Sequence, residues 1–192
     1  KSACIVGALR GNEIQQLYIC SQLVKALKEL EAHGAISHNH EILVIPSVNR
    51  FSMNVGKRFW PTDNSDINRA FPGDVNGDTT KQIAGTLFDR IKGYSYGIHF
   101  ASFYMPGDFI PHVKMMDTGF QSASLANLFG LQYVVIRKPK PMDTVTLNYN
   151  WQMNGTNAFS IYTNSTDMID EKSARQAVSS VLRFLTRMGI LK

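Results

Sequence analysis

A chain of 192 residues, 44% hydrophobic and 18% charged, has the composition of an ordinary globular domain and is long enough to bury a substantial core. No run approaches the roughly 18 consecutive apolar residues that a membrane span requires, so no membrane partner is expected. The net charge of +5 comes from scattered Lys and Arg residues. It lacks the clustered stripe and interleaved aromatics of a nucleic-acid face, so no nucleic acid is expected and small anions fit the field better.

In chain order, Ser2 to Leu9 reads as a buried strand that runs into the glycine turn Gly7-Ala8-Leu9-Arg10-Gly11-Asn12-Glu13. Asn12 is placed to cap the helix that follows, whose apolar positions Ile14, Leu17, Ile19, Leu23, Val24, Leu27 and Leu30 keep roughly helical spacing up to Gly34. His33, His38 and His40 fall in the next connection and are expected as loop histidines, since nothing near them completes a metal cluster. Glu41 to Pro46 is the second strand, and Ser47 to Asp78 is a long aperiodic stretch rich in Asn, Asp, Gly and Pro. A loop of that length inside a compact domain is usually functional. Thr79 to Ile91 reads as a helix, and Tyr94 to Phe100 as a strand carrying His99. Another irregular loop follows, then a helix from Asp117 to Phe129, a strand from Gln132 to Arg137 and a turn at Pro139 and Pro141. Ala158 to Thr163 is the last strand, and Asp170 to Met188 is a closing amphipathic helix. Alternating strands and helices argue for α/β architecture with a largely parallel sheet, in which loops after strands carry the chemistry. No leader segment is apparent at the start. Cys4 and Cys20 are expected as buried, reduced thiols, which favours a cytoplasmic setting.

The segment from Arg58 to Gly73, with Pro61, Asp66-Ile67-Asn68-Arg69 and Phe71-Pro72-Gly73, resembles a signature of the succinylglutamate desuccinylase/aspartoacylase family within the zinc carboxypeptidase superfamily. Gly7 to Glu13 resembles that family's Gly-x-x-His-Gly-Asn-Glu turn, and Gly97-Ile98-His99 its Asp-Leu-His. Ile110 to Lys114 and Phe129-Gly130-Leu131 also fit. The resemblance implies a carboxypeptidase-like three-layer sandwich with a mixed, largely parallel sheet. It also implies a single catalytic-type domain over residues 1–192, without the β-rich C-terminal domain that many members carry. In such proteins a His and a Glu of the first turn and a His of a later strand hold zinc, with water in the open position. An Arg polarises the scissile carbonyl, an Asn-Arg pair grips a carboxylate, and a Glu activates water. Carried over, the metal positions are Arg10, Glu13 and His99, the polarising residue is Arg58, the carboxylate grip is Asn68 with Arg69, and the general-base position is Tyr162.

Two of these positions depart from the pattern. Arg10 stands where a ligand histidine is expected, and a guanidinium is a permanent cation with no lone pair for a metal. Tyr162 stands where a glutamate is expected, and a phenol is a poor base near neutrality. Gly97 also replaces the aspartate beside the ligand histidine. The expectation is that Arg10 takes the zinc position, forms a forked pair with Glu13 at i+3 and reaches His99. The site would then bind a carboxylate-bearing small molecule or peptide end with little or no hydrolysis. The alternative is a working zinc-dependent amidohydrolase acting on N-acyl amino acids or a peptide-like amide. Blander readings stay open beside these. Glu13 suits a helix N-terminus, His99 a satisfied core position, and Arg58 the surface. Asn68-Arg69 suits a turn salt-bridged to Asp66 or Asp63, and Tyr162 a packed strand.

Overall fold

The computed structural model describes residues 1–192. Its elements are β1 (Ser2–Ala8), α1 (Ile14–Ala32), β2 (Glu41–Ser47), α2 (Arg50–Asn54), α3 (Thr79–Ile91), β3 (Tyr96–Ala101), β4 (His112–Met116), β5 (Tyr133–Arg137), α4 (Leu147–Met153), β6 (Asn157–Tyr162) and α5 (Glu171–Arg187). Short 3-10 turns lie at Ile67–Arg69, Ala123–Phe129 and Pro141–Val145.

The six strands form one sheet in the order β2-β1-β3-β6-β4-β5. β2, β1, β3 and β6 run parallel, β4 is antiparallel to β6, and β5 is parallel to β4. Strand alternation divides the core into two faces. On one face Ala3 and Ile5 of β1 and Phe159 and Ile161 of β6 pack against Ile19, Leu23 and Leu27 of α1 and Ala177, Val181 and Phe184 of α5. On the other, Cys4 and Val6 of β1 and Ala158 of β6 pack against Phe88 and Ile91 of α3 and Leu147 and Trp151 of α4. The result is the expected three-layer α/β sandwich with a mixed sheet. No helix is long and apolar enough to cross a membrane.

Helix starts follow side-chain capping. Asp78 accepts from Lys81 N–H at 3.0 Å, and Asp170 from Ser173 N–H at 2.7 Å. α1 departs from expectation, because Asn12 does not cap it; the cap position is Glu13, without a side-chain cap bond. Between Asp117 and Phe129 only the 3-10 turn Ala123–Phe129 forms, with Gly130 closing it in the left-handed region at φ 72°. β4 and α4 arise where no element was expected, and α2 and the turn Ile67–Arg69 give structure to the long Ser47 to Asp78 stretch. Cys4 and Cys20 are buried and unpaired, and burial pushes the Cys4 thiol up to about 12. His33 and His38 are exposed and His40 half-buried, with no third ligand type grouped beside them.

Candidate functional site

Parallel strands β1, β3 and β6 end on the same edge of the sheet, and antiparallel β4 begins there. That edge opens into a cavity of about 470 Å³ lined by Arg10, Arg58, Asn68, Arg69, His99 and Tyr162 among others. Six of the seven residues expected from the sequence therefore share one cavity, and the seventh, Glu13, lies fully buried next to Arg10.

The β1–α1 turn is locked by its backbone. The Gly11 N–H donates to the Arg58 carbonyl at 3.0 Å, and a Cβ at Gly11 would sit 2.0 Å from the Lys57 carbonyl oxygen. Only glycine permits that approach. It brings the 57–58 segment against the turn, where Arg58 Nη1 donates to Asn12 Oδ1 at 2.8 Å. Asn12 thus anchors Arg58 instead of capping α1.

Arg10 is 8% exposed and points into the protein. Its Nε and Nη2 donate to the two carboxylate oxygens of Asp66, both at 2.9 Å, in a fork-to-fork pair. The expected fork with Glu13 is corrected: Arg10 Nη1 lies 3.8 Å from Glu13 Oε2, an ion-pair distance without a hydrogen bond. Competition explains the choice of partner. Glu13 Oε1 already accepts the backbone N–H groups of Leu9 at 3.0 Å and Arg10 at 2.7 Å. Asp66, set at the start of the turn Ile67–Arg69 and accepting the Asn68 N–H at 3.0 Å, still offers both oxygens to a planar guanidinium. Burial alone would raise the Asp66 carboxyl, but the bonds and charge of Arg10 outweigh it and hold it below the usual range. Burial pushes the Glu13 carboxyl up, with Arg10 pulling it back.

His99, on the central strand β3, is 1% exposed, and its Nε2 has no hydrogen-bond partner; nor has Glu13 Oε2. The expected bond from Arg10 to His99 is not made. Burial first, and the Arg10 charge second, push the imidazole down to about 3, so it is neutral near pH 7. Gly97, two residues earlier on β3, lies under Trp151 of α4, where a Cβ would fall 2.6 Å from the indole. An aspartate side chain does not fit there.

Asn68 spends its Oδ1 on the Leu147 N–H at the start of α4, at 3.0 Å, so one end of that amide has a structural task. Arg69 does not pair with Asp66 or Asp63. Its one hydrogen bond goes to the Met142 carbonyl at 3.3 Å, and Asp63 instead accepts from Thr80. Antiparallel pairing of β4 with β6 sets His112 beside Tyr162 and Lys114 beside Ser160. The His112 and Tyr162 rings stack at 4.8 Å and 6°, and Phe103 leans on Tyr162 at 4.8 Å. Tyr162 is therefore a packed aromatic that also lines the cavity. Burial pushes its hydroxyl above the ordinary range, so it stays a protonated donor.

Sequence reasoning weighed Asp66 only as a salt-bridge partner for Asn68-Arg69 and passed over several other lining residues. Asp66 is the partner of Arg10. Asp143 forks Arg137 at 2.6 and 2.8 Å, and Asn148 donates to Ser160 Oγ at 2.8 Å. Lys114 also lines the cavity. The alternation of polar His112 and Lys114 with buried Val113 and Met115 was the available signal for the two β4 residues.

Comparison with known proteins comes to the same place. A sequence profile of the succinylglutamate desuccinylase/aspartoacylase catalytic domain matches residues 1–187. The N-alpha-acetyl-L-2,4-diaminobutyric acid deacetylase of Halomonas elongata is 28% identical over 90 residues, which make up 47% of this chain and 24% of that protein. A succinylglutamate desuccinylase structure from Silicibacter sp. TM1040 superposes with a TM-score of 0.83 at 21% identity, covering 100% of this chain and 58% of that one. The product-bound ectoine utilization protein EutE (DoeB) from Ruegeria pomeroyi gives 0.80 at 19% identity, covering 100% and 58%. The chain thus spans a little over half the length of these solved structures.

Proposed function

Because this chain belongs to the succinylglutamate desuccinylase/aspartoacylase family, we propose that it keeps the family's pocket as a carboxylate-recognition site with little or no hydrolysis. The observation that carries this reading is the buried Arg10 guanidinium, forked to Asp66 and 3.8 Å from Glu13 Oε2. The family is generally zinc-dependent, and zinc would supply a polarised water and a Lewis acid. The donor set here does not fit that ion. Glu13 and His99 offer two ligands, a fixed cation stands at the third position, and no three His, Cys, Asp or Glu side chains come together. A metal between Glu13 and His99 would face the positive charge of Arg10 across a few ångströms of buried space. Tyr162, a neutral donor, is equally unsuited to draw a proton from water.

What the residues can do is hold an anion. Basic Arg10, Arg58, Arg69, Lys114 and Arg137 outnumber acidic Asp66 and Asp143 around the cavity. Buried Arg10 is screened little by water, whereas Arg69 is exposed and Arg137 partly so, and together they set a positive field over the opening. A small carboxylate, or the carboxylate end of a peptide, suits the size and sign of the space. The buried, reduced thiols support a cytoplasmic setting.

One observation favours the second reading, a working zinc amidohydrolase acting on N-acyl amino acids or a peptide-like amide. Glu13 Oε2 and His99 Nε2 are both buried without partners, as metal ligands would be. Calorimetric titration with a panel of N-acetyl amino acids, alongside an amine-release assay of the same panel in added zinc, separates the two. Binding without turnover is expected; zinc-stimulated turnover lost in Glu13→Ala would replace the binding reading with the hydrolase.

A further inference from the structure

Charge pairing within the cavity is uneven. At one end Arg10 is forked to Asp66 and faces Glu13. Arg58, tied to Asn12, feels the charges of the same two carboxylates. Two guanidiniums there face two carboxylates, and the end is close to neutral. Arg137 is likewise matched by its fork to Asp143. Two cations remain. Arg69 has only the Met142 carbonyl, and Lys114 has neither a hydrogen bond nor a carboxylate within ion-pair distance.

Lys114 is held in an unusual place. Strand alternation puts Val113 and Met115 into the core and turns Lys114 to the cavity, with its Nζ 5.7 Å from the centroid of the Tyr162 ring. Its ammonium is partly desolvated and lies in the field of Arg137, Arg69 and Lys140, against which only the already-paired Asp143 acts; these causes together pull the amine below its usual range. An ammonium kept among like charges without a counter-ion gains most from a ligand that brings one. Tyr162 contributes to this arrangement. A glutamate at position 162 would stand beside Lys114 as a competing anion, whereas the phenol is neutral and can donate.

We propose that Lys114, together with Arg69, is the seat of the ligand's carboxylate, and that Arg58 helps balance Glu13 and Asp66 instead of touching the anion. This rests on the reading of the cavity as an anion site. It adds a binding residue on β4, moves the anion to the β4–β6 side, and gives the Glu-to-Tyr difference at position 162 a role in admitting an anion. Phosphate shares the chemistry that an ammonium and a guanidinium recognise, so inorganic phosphate is the competing probe.

The test is calorimetric titration of the full chain with N-acetyl-L-glutamate and, separately, inorganic phosphate. It compares the unmodified protein with Lys114→Met, Lys114→Arg, Arg58→Gln and Tyr162→Glu, with circular dichroism as the folding control. Lys114→Met should weaken N-acetyl-L-glutamate by about tenfold or more, as expected for a lost charge-assisted contact, and Lys114→Arg should recover most of it. Arg58→Gln should cost less than Lys114→Met. Should Lys114→Met fail to fold, Tyr162→Glu decides the matter, because a carboxylate beside an intact Lys114 should abolish binding. Unchanged affinity in Lys114→Met or Tyr162→Glu, or a larger loss in Arg58→Gln, overturns the seat while leaving an anion site in place. Tighter binding of phosphate than of N-acetyl-L-glutamate overturns the carboxylate assignment. No binding of either probe by the unmodified protein overturns the anion site itself.

Discussion

Replacing Arg10 by methionine keeps most of the aliphatic stem and removes the charge. In the intact protein the guanidinium satisfies Asp66 through two bonds of 2.9 Å and faces Glu13 at 3.8 Å. Without it, Glu13 remains fully buried, with Arg58 as the only nearby cation. Removing one partner of a buried ion pair costs about 3–5 kcal/mol, mostly because a charge is left uncompensated. Against a total stability of about 5–15 kcal/mol, that is a large fraction. Urea unfolding followed by tryptophan fluorescence measures it. The dependence on pH carries the sharper test. Burial already raises the Glu13 carboxyl in the folded state, and losing Arg10 raises it further. A carboxyl raised above its unfolded value of about 4.3 favours folding below that value and disfavours it as pH climbs. The deficit of Arg10→Met should therefore be smaller at pH 5 than at pH 7. A loss below about 1 kcal/mol, the worth of a solvated pair, or a deficit that does not change with pH, would refute the buried-cation argument.

Other outcomes follow from the same contacts. Gly97→Ala should lower stability by about 1–3 kcal/mol through overpacking, since the added Cβ meets the Trp151 indole at 2.6 Å; an unchanged thermal midpoint would show that α4 gives way freely. Asp143→Asn should cost about 1–2 kcal/mol, because the Arg137 fork is partly solvated. The fork holds the Asp143 carboxyl below its usual range, so its contribution is present above about pH 3.9 and is lost as pH falls through the folded value. Asp143→Asn should accordingly flatten the acid limb of a stability profile, and a parallel profile would contradict the pairing. Asn12→Ala should cost about 1 kcal/mol or more through the lost Arg58 bond, and that cost should largely vanish in an Arg58→Gln background; a loss that persists there would mean that Asn12 caps α1 after all.

Much of the fold was legible because hydrophobic periodicity is a local signal. β1, α1, α3 and α5 fall within a residue or two of where apolar spacing put them, and Gly130 closes its turn as expected. The elements that escaped are those whose local preference is weak. α4 opens Leu-Asn-Tyr-Asn-Trp, in which only Leu147 is a good helix former; Trp151 packing on Gly97 of β3, with Thr146 and Asn68 satisfying the first N–H groups, makes it helical. β4 is a five-residue strand behind Pro111, formed because β6 offers it an antiparallel edge. In the site, the motif located the residues but not their pairings. Glu13 is three positions from Arg10 and looked like its natural partner, whereas Asp66, 56 positions away, provides the fork. That choice depended on two backbone N–H groups already occupying Glu13 Oε1, a fact about the folded turn that no spacing rule contains.

On the binding reading, the Arg10 guanidinium stands where zinc-dependent members of the family would hold their ion. Competition of the purified protein with a fluorescent zinc chelator tests it most directly, in the unmodified chain and in Arg10→His. The unmodified protein should leave the chelator its zinc, and Arg10→His should withdraw about one equivalent by completing a three-ligand set with Glu13 and His99. Stoichiometric zinc taken up by the unmodified chain and lost in His99→Ala would contradict the claim.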